Sequence, residues 1–267
     1  MTLAARACVR SILGFVLFVL ASGGALAHAD RLVDARQVVR GDYLAPRVSP
    51  DGRELLLTGP QLRGLYVVPI AGGAVRPLVD DAEAGVLARW NNDGSVSYRA
   101  PRAGARRDLV VDRTGTVRTV AAAAAPLAFA NDDRMYVSRA GRLIEIGTGD
   151  RFFGAIVAPD GDHVVFQGLA TGLYVYTRST GALVRVGPGT APAWSPDGKR
   201  LVFEVTEDDG HDILASDLYL YDVASDRVSQ LTATDRVIER RPSFSPSGTS
   251  IAYDDNDGGV FVAKVVP

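Results

Sequence analysis

Cysteine and histidine are nearly missing from this chain: Cys8 is the single cysteine among 267 residues, and there are three histidines. Cys8 sits in the first ten residues, so no disulfide can brace the rest of the chain, and a Cys/His metal centre is excluded. Only His163 and His211 lie beyond residue 28. Long apolar runs are as scarce. The uncharged stretch from Ser11 to Ala27 has 17 residues, the short limit for a membrane span, and Ser22, Gly23 and Gly24 dilute it. An excess of positive charge is also lacking, with 29 basic against 31 acidic residues, which argues against nucleic acid or an anionic membrane surface as partner. There is no G-x-S-x-G elbow; the nearest string, Gly248-Thr249-Ser250-Ile251-Ala252, reads as part of a strand. Gly147-Thr148-Gly149 and Gly187-Pro188-Gly189 are turn glycines between strands, since a dinucleotide loop needs a following helix.

The chain opens with a pattern that directs export. Arg6 and Arg10 are the only charges before Asp30, an apolar run covers Ile12–Leu20, and Ala27-His28-Ala29 presents small residues at a cleavage site. Residues 1–29 are therefore predicted to be a signal peptide, giving a periplasmic or secreted product; retention of the segment as an anchor is the alternative. Cys8 lies in the charged head, away from the cleavage point, so it does not mark a lipid attachment. Cleavage leaves 238 residues with 27 basic and 31 acidic side chains and no cysteine. Such a chain must be held by its core, and it is long enough to build one.

One motif, met six times, fills those residues. Its copies are Val48-Ser49-Pro50-Asp51-Gly52, Trp90-Asn91-Asn92-Asp93-Gly94, Phe129-Ala130-Asn131-Asp132-Asp133, Val157-Ala158-Pro159-Asp160-Gly161, Trp194-Ser195-Pro196-Asp197-Gly198 and Phe244-Ser245-Pro246-Ser247-Gly248. Pro presets φ, Asp hydrogen-bonds nearby backbone, and Gly takes a left-handed conformation, so the string suits a tight hairpin turn. Each turn precedes a short run such as "ELLLTG", "HVVFQG" or "RLVFEV", read as a strand with one buried face, then a second run such as "GLYVYTR" or "DLYLYDV". In five units a further strand comes next, of which "RVSQLT" is an example. Six units in 238 residues give about 40 residues each, the period of a propeller blade.

The predicted fold is all-β: one domain, 30–267, forming a six-bladed propeller of four-stranded antiparallel blades that begin near residues 45, 86, 126, 154, 191 and 241. Spacings between the turns are 42, 39, 28, 37 and 50 residues, so the third unit is compact and the fifth carries an insertion. The sixth unit ends after its third strand, while Ala35-Arg36-Gln37-Val38-Val39 ahead of the first turn resembles an outer strand. It is predicted to complete the last blade and close the ring.

The pattern "PAWSPDGKRLVF", followed by "DLYLYD" and "QLT", resembles the propeller repeat of TolB-like proteins over essentially the whole chain beyond the leader, weakly in the third unit. TolB joins an N-terminal α/β domain to a six-bladed propeller that contacts other envelope proteins. The resemblance thus implies an interaction module at the cell envelope. No room for the α/β domain exists between Asp30 and the first unit, so a stand-alone propeller is expected, and membership of a Tol-type complex is not implied. Related propellers are fused to serine peptidases, but no such catalytic domain follows here.

Chemistry must then come from the segments that do not repeat, and no convergent nucleophile, base and orienting group is visible, so no catalytic residue is assigned. "EVTEDDGHDILASD" and "YDDNDGG" both join the second and third strands of their units, on one rim of the ring. Asp208, Asp209, His211, Asp212, Asp254, Asp255 and Asp257 could hold a hard divalent cation there, the only cofactor the sequence suggests; two solvated acidic turns are the alternative. With a metal, the site would suit a lyase or hydrolase; without one, the channel could still take a carbohydrate or other small ligand. The corresponding connection of unit two carries Arg99, Arg102, Arg106 and Arg107, and the loop entering unit six adds Asp235, Arg236, Glu239, Arg240 and Arg241. A basic lobe facing an acidic one is expected to receive a charged protein of the envelope, the propeller itself being a monomer.

Overall fold

A blade sheet has two apolar faces, and each must find a neighbour. The computed structural model of the chain describes residues 30–85, 87–120, 127–131, 133–147, 149–234 and 237–267; the leader read at 1–29 lies outside them. The described residues form six antiparallel sheets in ring order, and their only helical element is the short 3-10 turn Pro60–Leu62. No helix among them is long and apolar enough to cross a membrane. Blade one runs outward through Leu44–Val48, Glu54–Thr58, Leu65–Pro69 and Arg76–Val79. The other inner strands are Arg89–Trp90, Ala128–Asn131, Phe152–Val157, Thr190–Trp194 and Arg240–Phe244. The third sheet has three described strands, Ala128–Asn131, Arg134–Arg139 and Arg142–Gly147, and only residues 148–151 separate it from blade four.

Ring closure uses both ends of the described chain. In blade six, Gly259–Val266 pairs on one side with Ser250–Asp254 and on the other with Arg31–Arg40. The closing strand is longer than the five residues read from the sequence, running from Arg31↔Val266 to Arg40↔Gly259 with two bulges. Val38 is its buried residue and packs with Ala252 and Val260 of blade six and Leu55, Leu57 and Val68 of blade one.

The repeated turns share one hydrogen-bond plan. Gly52 N–H donates to the Ser49 carbonyl at 2.8 Å and Gly198 N–H to that of Ser195 at 2.9 Å. Asp51 and Asp197 accept from Ser49 Oγ and Ser195 Oγ at 2.6 and 2.5 Å. Gly52, Gly94, Gly161, Gly198 and Gly248 all lie at φ of 70–78°, where a Cβ is disfavoured. Pro50, Pro159, Pro196 and Pro246 precede them, and Asp93 and Asp160 accept the backbone N–H two residues on. Asp132, in the third copy, lies outside the described residues.

The second strands differ from the expectation of one buried face. Leu55, Leu56 and Leu57, Val164, Val165 and Phe166, and Leu201, Val202 and Phe203 are all buried in succession. A blade between two neighbours has no solvated face, so its central strands read as continuous apolar runs. Buried clusters join blades one and two, three and four, four and five, five and six, and six and one. None among the described residues joins two and three. A cavity of about 200 Å³ lies on that side of blade two, lined by Arg89, Ser97, Arg99 and Asp108 among others.

Inner strands of blades one, four, five and six carry the same bulge, with left-handed residues at Ala45, Gly154, Ala191 and Arg241 (φ 51, 67, 50 and 48°) and a register shift at each. If the closing strand holds the ring, Val38→Asp should lower the unfolding free energy by about 3 kcal/mol. Val117→Asp, on an exposed outer strand of blade two, should change it by less than about 0.5 kcal/mol. Chemical denaturation of both variants checks this, and equal effects would refute it.

Candidate functional site

Because the strands alternate in direction, the hairpins between second and third strands and the entries to each next blade emerge on one rim, opposite the Pro-Asp-Gly turns. In blade two the hairpin is Val96–Arg102 and Ala105–Val111, closed by Ala103 and Gly104 at φ of 49 and 79°. Two left-handed residues make the tight turn whose twist matches the strands. Its arginines do not stand as a free basic lobe. Arg99 pairs with Asp108 at 2.8 Å, Arg106 with Glu83 at 2.7 Å, and Arg102 places both terminal nitrogens 2.6 Å from Asp81. Asp81 also accepts the Tyr98 hydroxyl at 2.7 Å. Arg107 has no ion-pair partner among the described residues.

Across the ring, blade five extends Arg200–Asp208 and Ile213–Asp222. The acids at its tip cap their own turn: Asp208 accepts Gly210 N–H at 2.9 Å, and Asp209 accepts those of His211 and Asp212 at 2.9 and 2.8 Å. These backbone donors, Asp212 N–H first, hold Asp209 below the usual carboxylate range. Asp255 does the same in blade six, accepting Asp257 N–H at 2.9 Å and Gly259 N–H at 2.6 Å. Asp254 turns the other way, into the interior. No three His, Cys, Asp or Glu side chains converge on a common point among the described residues. His163, at the start of a blade-four strand, contacts Asp160 through Nδ1 at 2.6 Å.

The dominant electrostatic feature of the rim is a buried network through blades five, six and one. Glu204, 1% exposed, accepts Arg240 at 3.0 and 3.2 Å, the backbone N–H of Arg241 at 2.5 Å and the Thr190 hydroxyl at 3.1 Å. The Arg241 side chain turns back to Asp254, 0% exposed, which also accepts Ala45 N–H of blade one at 2.7 Å. Burial pushes Asp254 above its ordinary pKa in spite of Arg241. Arg240 and Arg241 are thus structural clasps as well as rim residues. Asp235 and Arg236 lie outside the described residues.

Between the acidic hairpins the entry to blade six is pinned by Thr234 N–H to Asp217 at 3.2 Å and Ile238 N–H to Asn256 at 3.1 Å. Glu239 at its end is 3% exposed, and both its oxygens face the Thr234 hydroxyl at 3.0 and 3.1 Å. Burial raises its pKa to about 7, and Asp217 and Asp255 add like charge.

The third element is the central channel, a cavity of about 530 Å³. Aligning the inner strands, "APRVSP", "APAWSP" and "RPSFSP", shows that Arg47 occupies the place held by Ala193 and Ser243 in blades five and six. Sequence reasoning misses Arg47 although the aligned repeats carry the signal. It misses Glu204 and Asp81 because their partners are remote in the chain or on another strand.

No family model matches the chain. Among solved structures it is similar to a gluconolactonase from Xanthomonas campestris, at 12% identity over 88% of this chain and 91% of that one, with a TM-score of 0.56. It is similar to a chain of a mitotic checkpoint complex at 18% identity over 97% and 99%, with a TM-score of 0.52. A TolB-like protein from Agrobacterium tumefaciens aligns at 19% identity over 83% and 82%, with a TM-score of 0.36. The first two likenesses bear on the propeller fold alone.

The buried network makes two outcomes measurable. Arg241→Ala leaves Asp254 buried and unpaired and should cost about 3 kcal/mol of stability, whereas Arg63→Ala, which breaks an exposed pair with Asp80, should cost under about 1 kcal/mol. Glu239 binds its proton more tightly folded than unfolded. Its contribution is full below pH 4.5 and is lost as pH rises through about 7, on the order of 3 kcal/mol in all. Glu239→Gln should therefore stabilise the protein at pH 8 and leave it unchanged at pH 4, as read by denaturant midpoints; a pH-independent effect would refute the assignment.

Proposed function

We propose that this chain is an exported TolB-like propeller that serves as a protein-interaction module at the bacterial cell envelope, with the hairpin rim as its binding face. The observation that carries the reading is the charge layout of that rim. Hairpins of blades two and five, opposite one another in a ring of six, are built from strands of seven and seven and of nine and ten residues. One ends in arginines and the other in Glu207, Asp208, Asp209 and Asp212. A bipolar rim orients a partner of complementary charge and speeds its encounter. Export is supported by the Arg6–Ala29 leader pattern, and the TolB-like character by the six repeats.

Self-pairing within blade two narrows which side chains serve a partner. Arg102 and Arg106 are held by Asp81 and Glu83, while Arg107 and Asp212 have no ion-pair partner among the described residues. The double variant Arg107→Glu, Asp212→Lys inverts one unpaired charge at each pole and leaves the internal pairs intact. Cross-linking and pull-down from the native envelope should then recover much less of the partner, at an unchanged melting temperature. Capture by the wild type should also weaken as ionic strength rises. Equal capture by variant and wild type would overturn the proposal.

A further inference from the structure

One layer of the channel is set by the residue that precedes the aromatic or Val at the end of each inner strand. At the aligned place the six blades carry Arg47, Arg89, Ala128, Ile156, Ala193 and Ser243, and all but Ala128 line the central cavity. Four of the six are small or aliphatic, and the two arginines come from adjacent blades. Both line the central cavity together with Trp90, Trp194 and Phe244, and no carboxylate lines it.

The two cations are not equivalent. Arg89 is exposed and has Asp108 within electrostatic range on the blade-three side. Arg47 is only partly accessible. Its carbonyl accepts the Trp90 indole N–H at 3.0 Å, but its guanidinium has no ion-pair or hydrogen-bond partner among the described residues. Burial alone lowers its pKa from the ordinary arginine value. A partly buried cation without a counter-charge carries a desolvation cost to the fold. It is offset when an anion arrives to take the guanidinium fork in two parallel hydrogen bonds. Around it the walls are aromatic and aliphatic, stiffened by Pro159 and Pro192, and the volume is that of a small-molecule site.

We propose that the channel binds a small organic carboxylate, its charged end on Arg47 and Arg89 and its apolar body against Trp90, Trp194 and Phe244. This site is separate from the hairpin rim, and neither reading depends on the other.

The chain's two tryptophans both line this cavity, so their fluorescence reports on it directly. Titration with cyclohexanecarboxylate should give a saturable change, and uncharged cyclohexanecarboxamide should bind about tenfold more weakly or worse. Arg47→Met should narrow that difference severalfold. Sulfate should compete poorly, having charge but no apolar body. Equal binding of carboxylate and carboxamide to the wild type, or no saturable response, would overturn the proposal without recourse to any variant. Sulfate competing as well as the organic acid would overturn its apolar half.

Discussion

Everything in this fold depends on one strand pairing, that of Arg31–Arg40 with Gly259–Val266. A propeller removes exposed sheet faces only if the last blade meets the first, and the seam there is as apolar as those between neighbours in sequence. Once the ring is shut, the inner strands lie around a common channel and the hairpins share a rim. Neither feature exists in an open arc. The buried ion pairs sit in the sector that bears this joint, from Glu204 in blade five through Arg240 and Arg241 to Asp254 and Ala45. Buried pairs add little net stability once desolvation is counted, but they penalise any other register heavily. The network ties blades five, six and one together by hydrogen bonds between them.

The same residues explain a repeated backbone oddity. Ala45, Ala191 and Arg241 adopt left-handed φ without being glycine, at about 1 kcal/mol each. In blades one and six the carboxylates of Asp254 and Glu204 accept the N–H that this conformation turns outward. Blades two and three have no such register shift at their inner strands, and no buried cluster joins them among the described residues. The ring thus divides into a regular arc, blades four through one, and a sector where a cavity reaches Leu87 and Arg89, which also line the channel.

How much of this structure is legible in the sequence depends on how local each feature is. The turns are legible because Pro50, Asp51 and Gly52 act within four residues of one another, through φ and short-range hydrogen bonds. Their count then implies the ring. Glu204 is not legible: in "RLVFEV" it looks like one more outward polar residue, and its ion-pair partner inside, Arg240, comes 36 positions later. Asp254 reads as part of an acidic loop because Asp255 and Asp257 come after it, yet it is the end of a buried strand. The arginines of blade two look like a free basic lobe because Asp81 and Glu83 precede the turn that brings them alongside.

Charge compensation separates scaffold from surface in this molecule. Arg102, Arg106, Arg240 and Arg241 each meet a carboxylate of the chain itself, and for Arg240 and Arg241 that carboxylate is buried, so removing it disturbs the fold before it disturbs any encounter. Arg107 and Arg47 meet none among the described residues. The first is at a solvated hairpin, where water screens it and nothing is lost by leaving it alone. The second is partly buried, where leaving it alone carries a desolvation cost that a small apolar residue, as in blade five, would not. The place that blade five fills with Ala193 thus carries a cation in blade one, and that place faces the channel.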